Sequence, residues 1–114
     1  MNITKTVENG IVTFKPDGWL DTASSPELGK AIEEIDEAQG IVLDFDLVEY
    51  MSSAGLRQVI AAHKKAKSLE ASFEVINAGP EVMNIFRMTV IDKKIDLKKK
   101  LKNLSKIKIK ENYY

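Results

Sequence analysis

The chain has no cysteine among its 114 residues, which excludes a disulfide framework, a thiol nucleophile and a zinc–thiolate centre. It has one histidine, His63, and sequence supplies no nucleophile and orienting acid to go with it as a catalytic base. Its six glycines are isolated, so no phosphate-cradling loop of the P-loop or dinucleotide type is present. No apolar run approaches the roughly 20 residues that cross a bilayer. Met1-Asn2-Ile3-Thr4-Lys5 lacks the basic start and apolar stretch of a secretion signal. These absences point to a cytoplasmic protein with no membrane span. They also point away from an enzyme: no catalytic residues, metal ligands or cofactors are expected.

What is present suits one globular domain, with 44% hydrophobic and 30% charged residues in a length too short for two independent cores. The formal charge of zero hides an asymmetry. Residues 1–91 carry 8 basic and 14 acidic side chains, a net of −6, whereas residues 92–114 carry 9 lysines and 3 acids, a net of +6. The basic end has no arginine, and its only aromatics are the terminal Tyr113 and Tyr114, so a nucleic-acid partner is not expected. A solvated lysine face on a terminal helix is the plainer reading.

Periodicity predicts an α/β order. Asn9-Gly10 is a turn pair between β-rich segments Ile3–Val7 and Ile11–Lys15, and Pro16 and Gly18 mark where the second strand becomes irregular or ends. Ser25, Pro26 and Glu27 read as the cap and first turn of a helix carrying Leu28, Ala31, Ile32 and Ile35 inward, stopped by Gly40. The apolar run Ile41–Phe45 predicts a central strand covered on both faces, and 46–51 a connector. Ser52-Ser53 opens a second helix with Leu56, Val59, Ile60 and His63 inward and lysines in its later turns. Ser72–Ile76 reads as a strand, and Gly79-Pro80-Glu81 as the start of a third helix with Val82, Met83, Ile85 and Phe86 inward. Ile95-Asp96-Leu97 suggests a short edge strand, and Leu97, Leu101 and Leu104 a helical stripe among lysines. The expected fold is a single α/β domain over 1–97, a mixed four- to five-stranded sheet with about four helices. Residues 98–114 are expected to be a lysine-rich terminal helix or tail that extends the same domain.

Few residues suggest chemistry. Asp44 and Asp46 would share a face at a strand end, where turn formation is the commoner role and Mg²⁺ binding the rarer one. His63 reads as a helix-edge packing residue. Trp19 is either an edge-packing side chain or an anchor facing a partner. The segment Tyr50-Met51-Ser52-Ser53-Ala54-Gly55-Leu56-Arg57 places two hydroxyls at a helix start, where backbone N–H groups lack intrahelical partners and the dipole is positive. Either serine serves there as an N-cap. The same geometry would equally accept a phosphate on serine. Composition leaves both readings open.

The run Ile41-Val42-Leu43-Asp44-Phe45 followed by Tyr50-Met51-Ser52-Ser53-Ala54-Gly55-Leu56 resembles the signature of the STAS family, named for sulfate transporters and anti-sigma factor antagonists. Gly18-Trp19-Leu20-Asp21 is similar to that family's Gly-x-Leu-Asp segment. Ala78-Gly79-Pro80-Glu81-Val82 is similar to its Ser-Pro-x-Val helix start, and Phe86-Arg87-Met88-Thr89 stands in its Leu-x-x-x-Gly region. The resemblance spans about residues 5–97. It implies an anti-sigma factor antagonist, which binds an anti-sigma factor that is also a serine kinase and so releases a sigma factor. Phosphorylation at Ser53 would switch it off and a phosphatase would reset it. The alternative is an unphosphorylated scaffold subunit of a transporter or sensory assembly. The implied contact surface surrounds the second helix start: Trp19, Asp21, Ser52, Ser53, Ala54, Gly55, Leu56 and Arg57. Ser52 stands where the motif commonly has Asp, which makes it a competing acceptor. Ala54 replaces the motif's second serine, and Arg57-Gln58 stands where Gly-Val is frequent.

Overall fold

A computed structural model describes residues 1–87 and 96–99. The chain opens with a hairpin, β1 (Asn2–Glu8) and β2 (Ile11–Leu20), paired antiparallel from Asn2↔Asp17 to Glu8↔Ile11. Asn9 (φ 52°) and Gly10 (φ 80°) turn it, both left-handed as a two-residue loop matched to strand twist requires. Of the two outcomes expected at Pro16 and Gly18, the strand becomes irregular there and does not end: β2 runs on to Leu20, with a register shift between Gly18 and Trp19. Its far side pairs parallel with β3 (Gly40–Asp44) over Ile11–Phe14, and with β4 (Leu47–Met51) over Asp17–Leu20. Pro16, with no N–H to give to a ladder, falls in the gap between those two stretches.

The remaining elements are α1 (Ser25–Glu33), α2 (Ser53–Ser68), β5 (Ser72–Ala78), α3 (Pro80–Arg87) and β6 (Asp96–Lys99). The mixed sheet runs β1-β2-β3-β5-β6, with β4 beside β2; every pairing but β1–β2 is parallel. Parallel neighbours need crossovers: α1 lies on the one from β2 to β3, and β4 with α2 on the one from β3 to β5.

The register puts Val12, Ile41 and Phe73 side by side on one face, then Phe14, Leu43 and Val75. Five of these six are buried, together with Leu28, Ile32, Val59, Ala62, Val82 and Phe86 from the helices. Each such large side chain contributes about 1.5–3 kcal/mol on burial. The other face, with Thr13, Val42 and Glu74, is only half-buried. So β3 is central as expected, but its burial alternates; the apolar run reflects position in the sheet, not two closed faces.

Other boundaries also differ from the periodicity. The first helix ends at Glu33, with Glu34 as its C-cap, and Gly40 begins β3. Ile35 is buried from the loop beyond that helix. Ser24, not Ser25, is its N-cap; Ser25 is the first helical residue, and its buried hydroxyl has no hydrogen-bond partner among the described residues. The expected connector over 46–51 is β4. In α2 the buried stripe is Gly55, Val59, Ala62 and Ala66, with Leu56 and His63 at its edge and Ile60 exposed. The His63 ring lies 5.6 Å from that of Phe73, the packing role expected for it. The third helix buries Val82, Met83 and Phe86 as predicted, with Ile85 partly buried. Leu97 belongs to β6 and not to a helix; the terminal helix or tail from residue 100 on, with Leu101 and Leu104, lies outside the described residues, as do Met88 and Thr89.

Candidate functional site: the start of the second helix

Three chain segments converge at the carboxyl end of β2: its last residues, the end of β4 and the first turn of α2. The Leu20 carbonyl ties them together, accepting from the Ser52 backbone N–H at 2.9 Å and from the Ser52 hydroxyl at 3.3 Å. Ser52 is extended (φ −93°, ψ 179°), and its Oγ accepts from the Ala54 N–H at 3.2 Å. Its carbonyl accepts the first intrahelical bond, from Leu56 N at 3.0 Å. Ser52 is therefore the N-cap, half-buried and engaged through every polar atom it has.

Ser53 is the first helical residue and is exposed, and its hydroxyl makes no hydrogen bond among the described residues. It stands among the first-turn N–H groups, which no intrahelical carbonyl can serve. No acidic residue lies in that first turn. The two serines are thus distinguished by geometry: one hydroxyl holds the structure, the other faces solvent.

Gly55 is fully enclosed. A Cβ there would lie 2.6 Å from Met51 Cγ and 2.8 Å from the Leu20 carbonyl oxygen, so the helix approaches β2 this closely only because the residue has no side chain. Gly55 therefore has a packing reason to be where it is. Ala54 is half-buried, Leu56 packs partly against the core, and Arg57 is exposed one turn after Ser53.

Asp21 follows β2 and organises the loop into α1. Its Oδ1 accepts from the Ser24 N–H at 3.0 Å and the Ala23 N–H at 3.1 Å, and lies 3.0 Å from the Ser24 hydroxyl, which also contacts the Trp19 carbonyl. These donors, Ser24 foremost, hold its carboxyl below the usual aspartate range. Asp44 plays a similar part at the end of β3, accepting from Asp46 N and from Asn77 Nδ2, each at 3.0 Å. The Asp44–Asp46 pair is a turn, as its sequence position suggested.

Trp19 is 59% exposed, which decides against an edge-packing role for most of its ring. Its partner is Tyr50, 42% exposed, with ring centroids 5.2 Å apart and planes tilted by 50°. The sequence assigns Tyr50 no contact role, because it falls in the connector expected over 46–51, which the structure shows to be β4. In the β2–β4 ladder Gly18 pairs with Val48 and Trp19 with Tyr50, so Glu49 is an extra residue. That bulge breaks the two-residue alternation and puts Glu49 and Tyr50 both outward before Met51 turns in. The strand ends that carry Trp19 and Tyr50 thus meet the helix start that carries Ser52 and Ser53, with Arg57 one turn on, while Asp21 organises the adjoining loop.

Comparison with known proteins fits this architecture. Residues 2–104 match the model of the STAS domain. The chain is 28% identical over 83 residues to an anti-sigma-B factor antagonist of Listeria monocytogenes, covering 71% of this chain and 73% of that protein. It is 27% identical over 114 residues to the Holliday junction branch migration complex subunit RuvB of Mycoplasma genitalium, covering 90% of this chain and 36% of that protein; the chain thus spans about a third of that relative. Among solved structures it is similar to an anti-sigma factor antagonist from Mycobacterium paratuberculosis, with 29% identity, a TM-score of 0.73, and 85% and 86% of the two chains covered. Given a family match over nearly the whole chain, on a sheet and helix order of this kind, the protein belongs to the STAS domain family.

Proposed function

We propose that the protein is an anti-sigma factor antagonist, a binding switch and not an enzyme. It binds an anti-sigma factor that is also a serine kinase, which frees a sigma factor, and phosphorylation of Ser53 ends the complex until a phosphatase resets it. The observation that carries this reading is the division of labour between the two serines: Ser52 is spent as the cap, whereas the Ser53 hydroxyl is exposed at the helix start. A kinase needs a reachable hydroxyl, and a phosphate placed there meets backbone N–H groups and the positive end of the dipole. Ser53 also lies one turn before Arg57, and the strand ends that meet this helix start carry the exposed Trp19–Tyr50 pair, side chains of the kind that anchor interfaces.

The switch needs no change of fold. A phosphoserine adds nearly two negative charges, and burying them against a closely fitted partner costs desolvation. A loss of about 3 kcal/mol weakens binding by about two orders of magnitude. ATP belongs to the kinase in this scheme, and the antagonist itself holds no cofactor. The activity in the RuvB name is not carried over, since the chain spans only 36% of that protein.

The test is titration calorimetry against the anti-sigma factor that the wild-type chain captures from its own cells. Wild type and Ser53→Ala should bind at micromolar affinity or better, Ser53→Asp should bind about a hundredfold more weakly, and Trp19→Ala should lose about 2 kcal/mol. Equal binding by Ser53→Asp and wild type would sink the switch and favour an unphosphorylated scaffold.

A further inference from the structure

We propose that the outer face of the β2–β4 ribbon binds an arginine side chain of another polypeptide, held between aromatic rings and carboxylates. Asp17 and Trp19 are next-but-one neighbours on β2, and in the ladder Asp17 pairs with Leu47 and Trp19 with Tyr50. All four therefore share the face opposite Leu20 and Met51, which pair with each other and are buried. Glu49, the extra residue of the bulge, is also turned outward and exposed. Among the described residues five large hydrophobic side chains are exposed, and three of them, Trp19, Leu47 and Tyr50, lie here. Clustering of this kind, unlike a single exposed apolar side chain, marks a contact surface.

Charge decides what this surface takes. The paired stretches Asp17–Leu20 and Leu47–Met51 hold two acids and no base. Neither Asp17 nor Glu49 forms an ion pair among the described residues. The preceding residue of β2 on this face, Lys15, has its ammonium 4.0 Å from Asp46. A purely apolar partner would strip water from two carboxylates and give nothing back. A second copy of the same patch would set like charges against each other. A cation answers both objections. The Trp19 and Tyr50 rings, 5.2 Å apart and tilted by 50°, are not stacked flat on each other, so both keep exposed π surface. A guanidinium is planar and weakly hydrated, and it stacks on such a ring while its N–H groups reach carboxylates. An ammonium is more strongly hydrated and offers no plane to stack. Leu47 supplies apolar surface for the stem of the arginine. The same strand ends meet the α2 start, so this contact extends the surface proposed for the antagonist without depending on it.

Trp19 is the sole tryptophan, so its fluorescence reports the contact directly. The test titrates the full chain at low salt with the acetylated, amidated tripeptide Leu-Arg-Leu and with its glutamine, lysine and glutamate counterparts. The arginine peptide should shift the Trp19 emission with an affinity on the order of millimolar, about fivefold tighter than the glutamine peptide and about twofold tighter than the lysine peptide. That advantage should vanish in Asp17→Asn with Glu49→Gln, exposed changes that leave the core untouched, and should shrink at about 0.5 M salt. Asp17→Lys with Glu49→Lys should reverse the preference toward the glutamate peptide. Equal affinity for the arginine and glutamine peptides, no emission shift with any of them, or an arginine preference that survives loss of both carboxylates would overturn the proposal. Equal affinity for lysine and arginine would overturn the assignment to a guanidinium. No kinase or anti-sigma factor enters the titration, so a negative result leaves the Ser53 switch standing.

Discussion

The Leu20 carbonyl oxygen and the Gly55 Cα are so close that a methyl group on Gly55 would lie 2.8 Å from that oxygen. The oxygen cannot retreat cheaply, because it also accepts the Ser52 N–H and faces the Ser52 hydroxyl. The end of β2 thereby fixes the position of the α2 first turn, and with it the direction in which Ser53 points.

Gly55→Ala should therefore destabilise the fold. Overpacking costs about 1–3 kcal/mol, against a helix-propensity gain of at most about 1 kcal/mol. The overpacking wins, and urea denaturation should show a lower midpoint with an unchanged slope. A midpoint at or above wild type would mean that α2 is free to move away from β2.

The two serines should separate in stability as they do in geometry. Ser52→Ala removes the cap on Ala54 N and should cost about 1 kcal/mol. Ser53→Ala removes an exposed hydroxyl and should stay within about 0.5 kcal/mol of wild type. Thermal unfolding of both variants measures this. Equal losses would show that the hydroxyls share the capping role.

Asp21 makes the loop before α1 pH-dependent. Its carboxyl titrates below its ordinary value of 3.8 because Ser24 and Ala23 donate to the ionised form. A depressed folded-state pKa stabilises the fold above the unfolded value, and that contribution is lost as pH falls through the folded one. Asp21→Asn should thus be less stable than wild type at neutral pH, with the gap closing below about pH 4. Denaturant midpoints over a pH series check it, and a gap that stays constant with pH would refute it.

Much of this architecture is legible in the residues, for local reasons. Asn9-Gly10 announces the hairpin because only left-handed residues join twisted strands in two steps. Ser52-Ser53 and Gly79-Pro80-Glu81 announce α2 and α3 through caps and N-terminal preferences that act within one turn. β4 is not legible, because a non-local parallel partner defines it and the extra residue Glu49 spoils its alternation. Tyr50 is hidden for the same reason, since an aromatic pair across a bulge is a tertiary fact. The early stop of α1 at Glu33 has a similar cause. Ile35 is as buried as a helical residue would be, so hydrophobic spacing ran on past the point where the backbone leaves the helix. Which serine caps and which faces solvent is likewise invisible in Ser52-Ser53 and is settled only by the Leu20 carbonyl.

The central claim is that Ser53 is the phosphoacceptor. Its most direct test is to incubate the protein with ATP and extract from its own cells, then read intact mass and map phosphopeptides. The account predicts one added phosphate, on Ser53, absent from Ser53→Ala and retained in Ser52→Ala. Phosphate on Ser52, or none on either serine in an extract whose kinase is shown to be active, would contradict it.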